Sequence, residues 1–174
     1  MQKNDLHDMM QTNLDKMEQV LHYIIHEVGH LPHVGKTVLF KLLYFCDLDY
    51  YEMHEEILTG EQYKKLDYGP APIHFDEIIE KLRTKERILD IQANFHGNLQ
   101  VKYISLDEPD ISLLSAKELE AISETLERLS SMNTTQISAY SHLDIPWKVT
   151  EDKEMIDYEL VFYRDPLTSV REYK

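Results

Sequence analysis

The feature that most constrains the fold is a segment that is apolar on nearly every side of a helix. Residues 38–46 read VLFKLLYFC, and Lys41 is the one charged side chain among them. Such a helix is stable in water only when other elements surround it. We therefore expect a helix from about Val34 through residue 56 at the centre of the domain. The single cysteine, Cys46, should lie in it as a buried, reduced thiol.

Further helices are predicted on both sides of this segment. Apolar residues recur at helical spacing over residues 13–30, and acidic residues begin and basic residues end the segment 73–86. The sequence Ser115-Ala116-Lys117-Glu118 is a capping box directly before another apolar stripe. Thr134 or Thr135 can cap a short helix that Pro146 stops or redirects.

The segments between these helices contain glycine, proline and β-branched residues. Residues 57–72 carry the glycines and prolines typical of turns, which predicts an ordered loop with at most a short extended piece. Residues 87–105 place β-branched and aromatic residues on both sides of His96-Gly97-Asn98, which predicts a β-hairpin. The expected fold is a single domain, residues 1–174, mainly α: a compact helical domain with one small β-hairpin and tails that fray.

Charge and hydropathy exclude several classes of function. The chain has 32 acidic and 18 basic residues, a net charge of −14, so its surface should repel nucleic acid and attract basic partners. It has no apolar run of about 18 residues and no signal-peptide pattern at its start. We expect a soluble, cytoplasmic protein with no membrane association and no direct nucleic-acid binding.

No pattern of residues predicts a catalytic or metal site. His22, His26 and His30 share a helix face, but they lie opposite the apolar stripe and should face solvent without an acidic general base. Ser141 and His142 are adjacent and point to different sides of a helix, which does not suit a nucleophilic pair. We expect no enzyme activity, no cofactor and no metal. A metal-dependent enzyme using the three histidines stays open as an alternative.

Three short motifs, taken in their order, resemble a known family. They are Lys41-Leu42-Leu43-Tyr44, then Tyr68-Gly69-Pro70, and then Ser141-His142 followed by Pro146-Trp147. Over residues 14–163 the chain is similar to the Panacea domain, the SocA-like antitoxin family of phage-associated proteins. The resemblance implies a mainly helical domain with a small β element. It also implies an antitoxin that neutralises a cognate toxin protein by direct binding and catalyses no reaction.

The motifs also supply the residues that we expect at the partner-binding surface. They are Lys41, Tyr44, Tyr68, Gly69, Pro70, His142 and Trp147. Packing is the competing explanation for each residue, and for Trp147 we expect a place in the helical core after the chain turns at Pro146. The alternative function is a non-enzymatic regulatory or adaptor protein of a prophage or mobile element. A homo-oligomer is compatible with these features.

Overall fold

The structure is a computed structural model that describes residues 11–173. The helices are α1 (Leu14–Val28), α2 (Lys36–His54), α3 (Phe75–Thr84), α4 (Ala116–Leu129), α5 (Thr134–His142), α6 (Ile145–Val149) and a 3₁₀ helix (Tyr158–Tyr163). The strands are β1 (Tyr63–Leu66), β2 (Gly69–Pro72), β3 (Ile88–Phe95) and β4 (Asn98–Ser105).

Helix α2 is the centre of the domain, as its sequence predicts. Every residue from Lys41 to Tyr50 is buried, including the free thiol of Cys46. Helices α1, α4 and α5, strand β2 and the 3₁₀ helix all pack against α2. The other predicted helices are also present, and Ser115 and Glu118 form the predicted capping box. For α5 the cap is Asn133, paired with Gln136, and not Thr134 or Thr135.

The predicted fold class, mainly α with one small β-hairpin, is wrong. The described residues form an α+β mix, 48% helical and 15% strand, with two separate two-stranded antiparallel sheets. One sheet is the predicted hairpin, β3–β4. The other, β1–β2, lies where the glycines and prolines of residues 57–72 predict a loop.

The prolines of β2 are compatible with a strand because of their register. Leu66 pairs with Gly69 next to a two-residue turn, and the pairs Lys65↔Pro70 and Tyr63↔Pro72 follow along the ladder. In a hairpin with a two-residue turn, the pair next to the turn exchanges hydrogen bonds, the following pair does not, and this alternation continues along the ladder. Lys65↔Pro70 and Tyr63↔Pro72 are both pairs without hydrogen bonds. The missing N–H groups of Pro70 and Pro72 therefore cost the sheet nothing.

Buried polar contacts fasten β1 to α2. Asp47, fully buried on α2, accepts a hydrogen bond from the Thr59 backbone N–H at 2.8 Å and from the hydroxyls of Thr59 and Tyr63. Burial raises the pKa of the Asp47 carboxyl to about 6. On the other edge of β1, the Ile156 N–H donates to the Tyr63 carbonyl at 2.9 Å. The β1–β2 sheet is thus held on both sides.

Within residues 11–173, no helix is both long enough and apolar enough to cross a membrane.

Candidate partner-binding site

The turn motif of β1–β2 lies directly against helices α2 and α5. Gly69 has φ +116°, and a Cβ atom at this position would lie 2.5 Å from Ser141 Oγ and 2.6 Å from Lys41 Cε. Both the backbone conformation and the close approach therefore require glycine. Three motifs that are far apart in sequence meet at this one residue.

Lys41 is buried beneath this turn with little to compensate its charge. Its Nζ donates to the Pro70 carbonyl at 3.1 Å, and no carboxylate forms an ion pair with it among the described residues. The side chain is 2% exposed, and burial lowers the pKa of its ammonium to about 8. Lys41 therefore fixes the position of Pro70 at a cost in desolvation.

Trp147 covers the open side of the same turn. Its indole stacks on the His142 ring, with 4.4 Å between ring centroids, and its Nε1 donates to the Leu66 carbonyl at 3.2 Å. The Lys65 ammonium lies 4.2 Å from the centre of the indole, a cation–π contact. The indole is half-buried against the edge of the core. Trp147 packs against the helical core, where the sequence predicts it, but it is only partly buried there.

An exposed surface with two aromatic residues results. Tyr68 is 78% exposed at the tip of the turn, and Leu66 is 40% exposed beside it. We call Leu66, Tyr68, His142 and Trp147 the turn–Trp147 surface. The backbone beneath it is held by Lys41, by the Gly69 contacts and by the indole hydrogen bond.

Ser141 is not an accessible nucleophile in this arrangement. Ser141 is close to Lys41, whose lowered pKa suits a general base, but Ser141 is fully buried. Its hydroxyl donates to the Ser138 carbonyl at 2.8 Å.

Comparison with known proteins identifies the family of the chain. A family model described as "Antitoxin SocA-like, Panacea domain" matches residues 39–148, more than half of the 174-residue chain. The chain belongs to the SocA-like Panacea family. No curated protein and no solved structure gives a significant match.

The Panacea match contains all the residues predicted for the partner-binding surface, although it is shorter than the predicted range of 14–163. The structure brings Lys41, Gly69, Pro70, His142 and Trp147 together, with Tyr68 exposed beside them. Tyr44 lies elsewhere. It is fully buried, and its hydroxyl donates to Asp144 at 2.6 Å.

A buried ionic network that the sequence does not predict supports the helix that carries Trp147. The guanidinium of Arg164 makes two hydrogen bonds to Asp144, at 2.8 and 3.1 Å, and one each to Asp49 and Glu52, at 2.9 and 3.1 Å. Asp144 immediately precedes α6, the helix that carries Trp147. The network therefore fixes the start of α6 against α2.

The same network holds the C-terminal segment of the chain. The Ser169 hydroxyl, the Val170 N–H and the Tyr173 hydroxyl all donate to the Glu52 carboxylate, at 2.6, 3.0 and 2.8 Å. These contacts join residues more than a hundred positions apart in the sequence. No local pattern could have predicted them.

The three predicted histidines do not form one exposed face, and His30 lies beyond the end of α1 at Val28. His22 is buried, 2% exposed, and only His30 is fully solvent-facing, so the prediction that all three face solvent is wrong. His22 Nε2 and His26 Nδ1 lie 3.0 and 3.2 Å from the Ser105 hydroxyl at the end of β4. Within residues 11–173, no three His, Cys, Asp or Glu side chains are arranged to hold a metal.

Proposed function

We propose that this protein is the antitoxin of a toxin–antitoxin pair and that it neutralises its cognate toxin by direct, non-enzymatic protein–protein binding. The observation that carries the proposal is the family match, which contains all three motifs that converge beneath the turn. An exposed tyrosine and a half-buried tryptophan over a fixed backbone are the residue types that anchor protein interfaces. The net charge of −14 favours a toxin with a basic contact surface.

We further propose that the turn–Trp147 surface is the contact with the toxin. Its backbone is held in place before binding, so little conformational freedom is lost when the toxin docks. Tyr68 is the residue to test, because its side chain is 78% exposed and no hydrogen bond from its hydroxyl to the described residues supports the fold.

The experiment is co-expression of the chain with the product of the neighbouring gene, scored by survival. We expect the neighbour to be toxic alone and harmless with the wild-type chain. Tyr68→Ala should lose protection, while the chain keeps its melting temperature. Tyr163→Ala is the matched control, because Tyr163 is 65% exposed and lies outside residues 39–148.

Two results would contradict the proposal at different levels. A neighbour that is harmless alone, or still toxic with the wild-type chain, would remove the antitoxin function and favour the regulatory or adaptor alternative. Full protection by Tyr68→Ala and Trp147→Ala would retain the antitoxin function and place its interface elsewhere.

A further inference from the structure

The outer edge of strand β3 has no partner within the described residues. Strands β3 and β4 pair without a bulge, from Ile88↔Ser105 at one end to Phe95↔Asn98 at the other. No other described strand pairs with β3. Residues 89–92 are all exposed, including Leu89 at 39% and Ile91 at 43%.

The hairpin turn determines which backbone groups are free. His96 and Gly97 both have positive φ, 50° and 83°, as in a two-residue type I′ turn. In such a hairpin the residues flanking the turn, Phe95 and Asn98, exchange hydrogen bonds, and the pattern then alternates along the ladder. The N–H and C=O groups of Asp90, Gln92 and Asn94 therefore point away from β4.

Within residues 11–173, this edge lacks most of the features that keep exposed strands from pairing. Proteins usually block an edge with lysine, proline, a bulge or a covering element. From Leu89 to Phe95 the strand contains no lysine and no proline, and Asp90 is its one charged residue. The Arg83 Nε donates to Asp90 at 2.9 Å and offsets that charge.

The strand is chemically symmetric about Gln92. The strand reads Leu89-Asp90-Ile91-Gln92-Ala93-Asn94-Phe95. Residues at equal distances before and after Gln92 are similar: Ile91 matches Ala93, Asp90 matches Asn94, and Leu89 matches Phe95. If a second copy pairs antiparallel about Gln92, apolar residues meet apolar residues on one face. On the other face Asp90 meets Asn94 and not a second aspartate.

The same register also satisfies the backbone. Residues 90, 92 and 94, whose backbone N–H and C=O groups point outward, are placed symmetrically about Gln92. In the proposed register each of them therefore lies opposite a residue of the other copy that can exchange backbone hydrogen bonds with it. A two-fold axis through Gln92 relates the copies, which is the symmetry of most protein dimers.

We propose that two copies of this chain pair through their β3 edges, antiparallel and centred on Gln92, to form a continuous four-stranded sheet. The proposal does not depend on the antitoxin function. Because each copy carries a net charge of −14, long-range repulsion opposes the pairing, and added salt should strengthen it.

Sedimentation equilibrium of the full chain from low to high micromolar concentration tests the proposal. The wild-type mass should rise with concentration from 20.6 kDa toward twice that value. Gln92→Lys places two ammonium groups opposite each other and should weaken association about tenfold, and so should Gln92→Glu. Thr84→Lys adds the same charge at an exposed position on α3 and should have no effect.

The decisive measurement is an equal mixture of Gln92→Lys and Gln92→Glu. Residue 92 faces itself only in the proposed register, so the mixture should restore association to the wild-type level. Gln92→Pro removes a free N–H without adding charge and should also weaken association. At concentrations where the wild type is monomeric, each variant should keep the wild-type melting temperature.

Several outcomes would overturn the pairing. They are a wild-type chain that stays monomeric throughout, a dimer unaffected by Gln92→Lys, and two weakened variants that do not rescue each other. A monomer that loses toxin binding on Gln92→Lys would show that β3 pairs with a strand of the toxin instead, and would overturn it as well.

Discussion

Replacing Lys41 with methionine tests whether the protein carries a desolvated charge beneath the turn. The side chain is 2% exposed, its one hydrogen bond among the described residues goes to the Pro70 carbonyl, and burial lowers its pKa from 10.5 to about 8. This lowering of the pKa means that burial disfavours the charged form of Lys41, relative to the neutral form, by about 3 kcal/mol. Methionine keeps most of the buried apolar length and removes the ionisable group.

The effect of pH on wild-type stability follows from this lowered pKa. Between about pH 8 and 10.5 the unfolded chain holds a proton on Lys41 that the folded chain has released, so the free energy of unfolding rises with pH. Below pH 8 the folded protein bears the full desolvation cost. The advantage of Lys41→Met over wild type should therefore shrink by about 3 kcal/mol from pH 7.5 to 10.5.

Urea unfolding of both proteins across this pH range measures the difference directly. Contributions that do not change with pH, such as methionine packing, cancel from the slope. Lys36→Met, at the exposed start of the same helix, is the control, because its ammonium already contacts solvent and pairs with Asp76. A difference between Lys41→Met and wild type that stays constant over the range would refute the reasoning.

Three further changes test the contacts around the site. Burial raises the pKa of Asp47 to about 6, so wild type should lose about 3 kcal/mol of stability as pH rises from about 4 to 6. Asp47→Asn has no carboxyl to titrate and should not show this loss. A difference between the two proteins in urea unfolding that does not change with pH would contradict this. Arg164→Met leaves Asp144 and Glu52 buried without a cation and Asp49 with Arg128 alone, so it should cost about 3–5 kcal/mol in chemical denaturation. A loss below about 1 kcal/mol would show that the carboxylates are protonated or hydrated. Gly69→Ala should cost about 1–3 kcal/mol from its positive φ and the contact with Ser141, and an unchanged melting temperature would show that the turn can move aside.

The parts of the fold that were predicted correctly depend on local patterns. The segment 38–46, apolar except for Lys41, determines a central helix, Ser115 and Glu118 determine a helix start, and His96-Gly97 determines a hairpin turn. Each signal lies within one element. The β1–β2 sheet was missed because Pro70 and Pro72 are read as turn residues, and their compatibility with an edge strand depends on a register that is set by pairing.

In the candidate site, too, the sequence predicts local motifs but not the contacts between distant elements. Its motifs could be chosen by their resemblance to a family, but their convergence depends on Gly69 fitting between Lys41 and Ser141. Tyr44 was predicted at the surface because it belongs to the same motif as Lys41, yet Asp144 holds its hydroxyl in the interior. His22 was predicted in solvent because a helical wheel does not show that Ser105 and the end of β4 cover it.

The position of Arg164 in the chain has a consequence for folding during synthesis. Asp49 and Glu52 are buried on the central helix, but the cation that neutralises both emerges from the ribosome more than a hundred residues later. At cellular rates of translation that interval is roughly ten seconds. During this time Glu52 lacks its cation, and Asp49 has only Arg128, whose guanidinium lies 2.6 Å from its carboxylate in the folded protein. The start of α6, which Arg164 fixes through Asp144, is completed only after Arg164 has been synthesised.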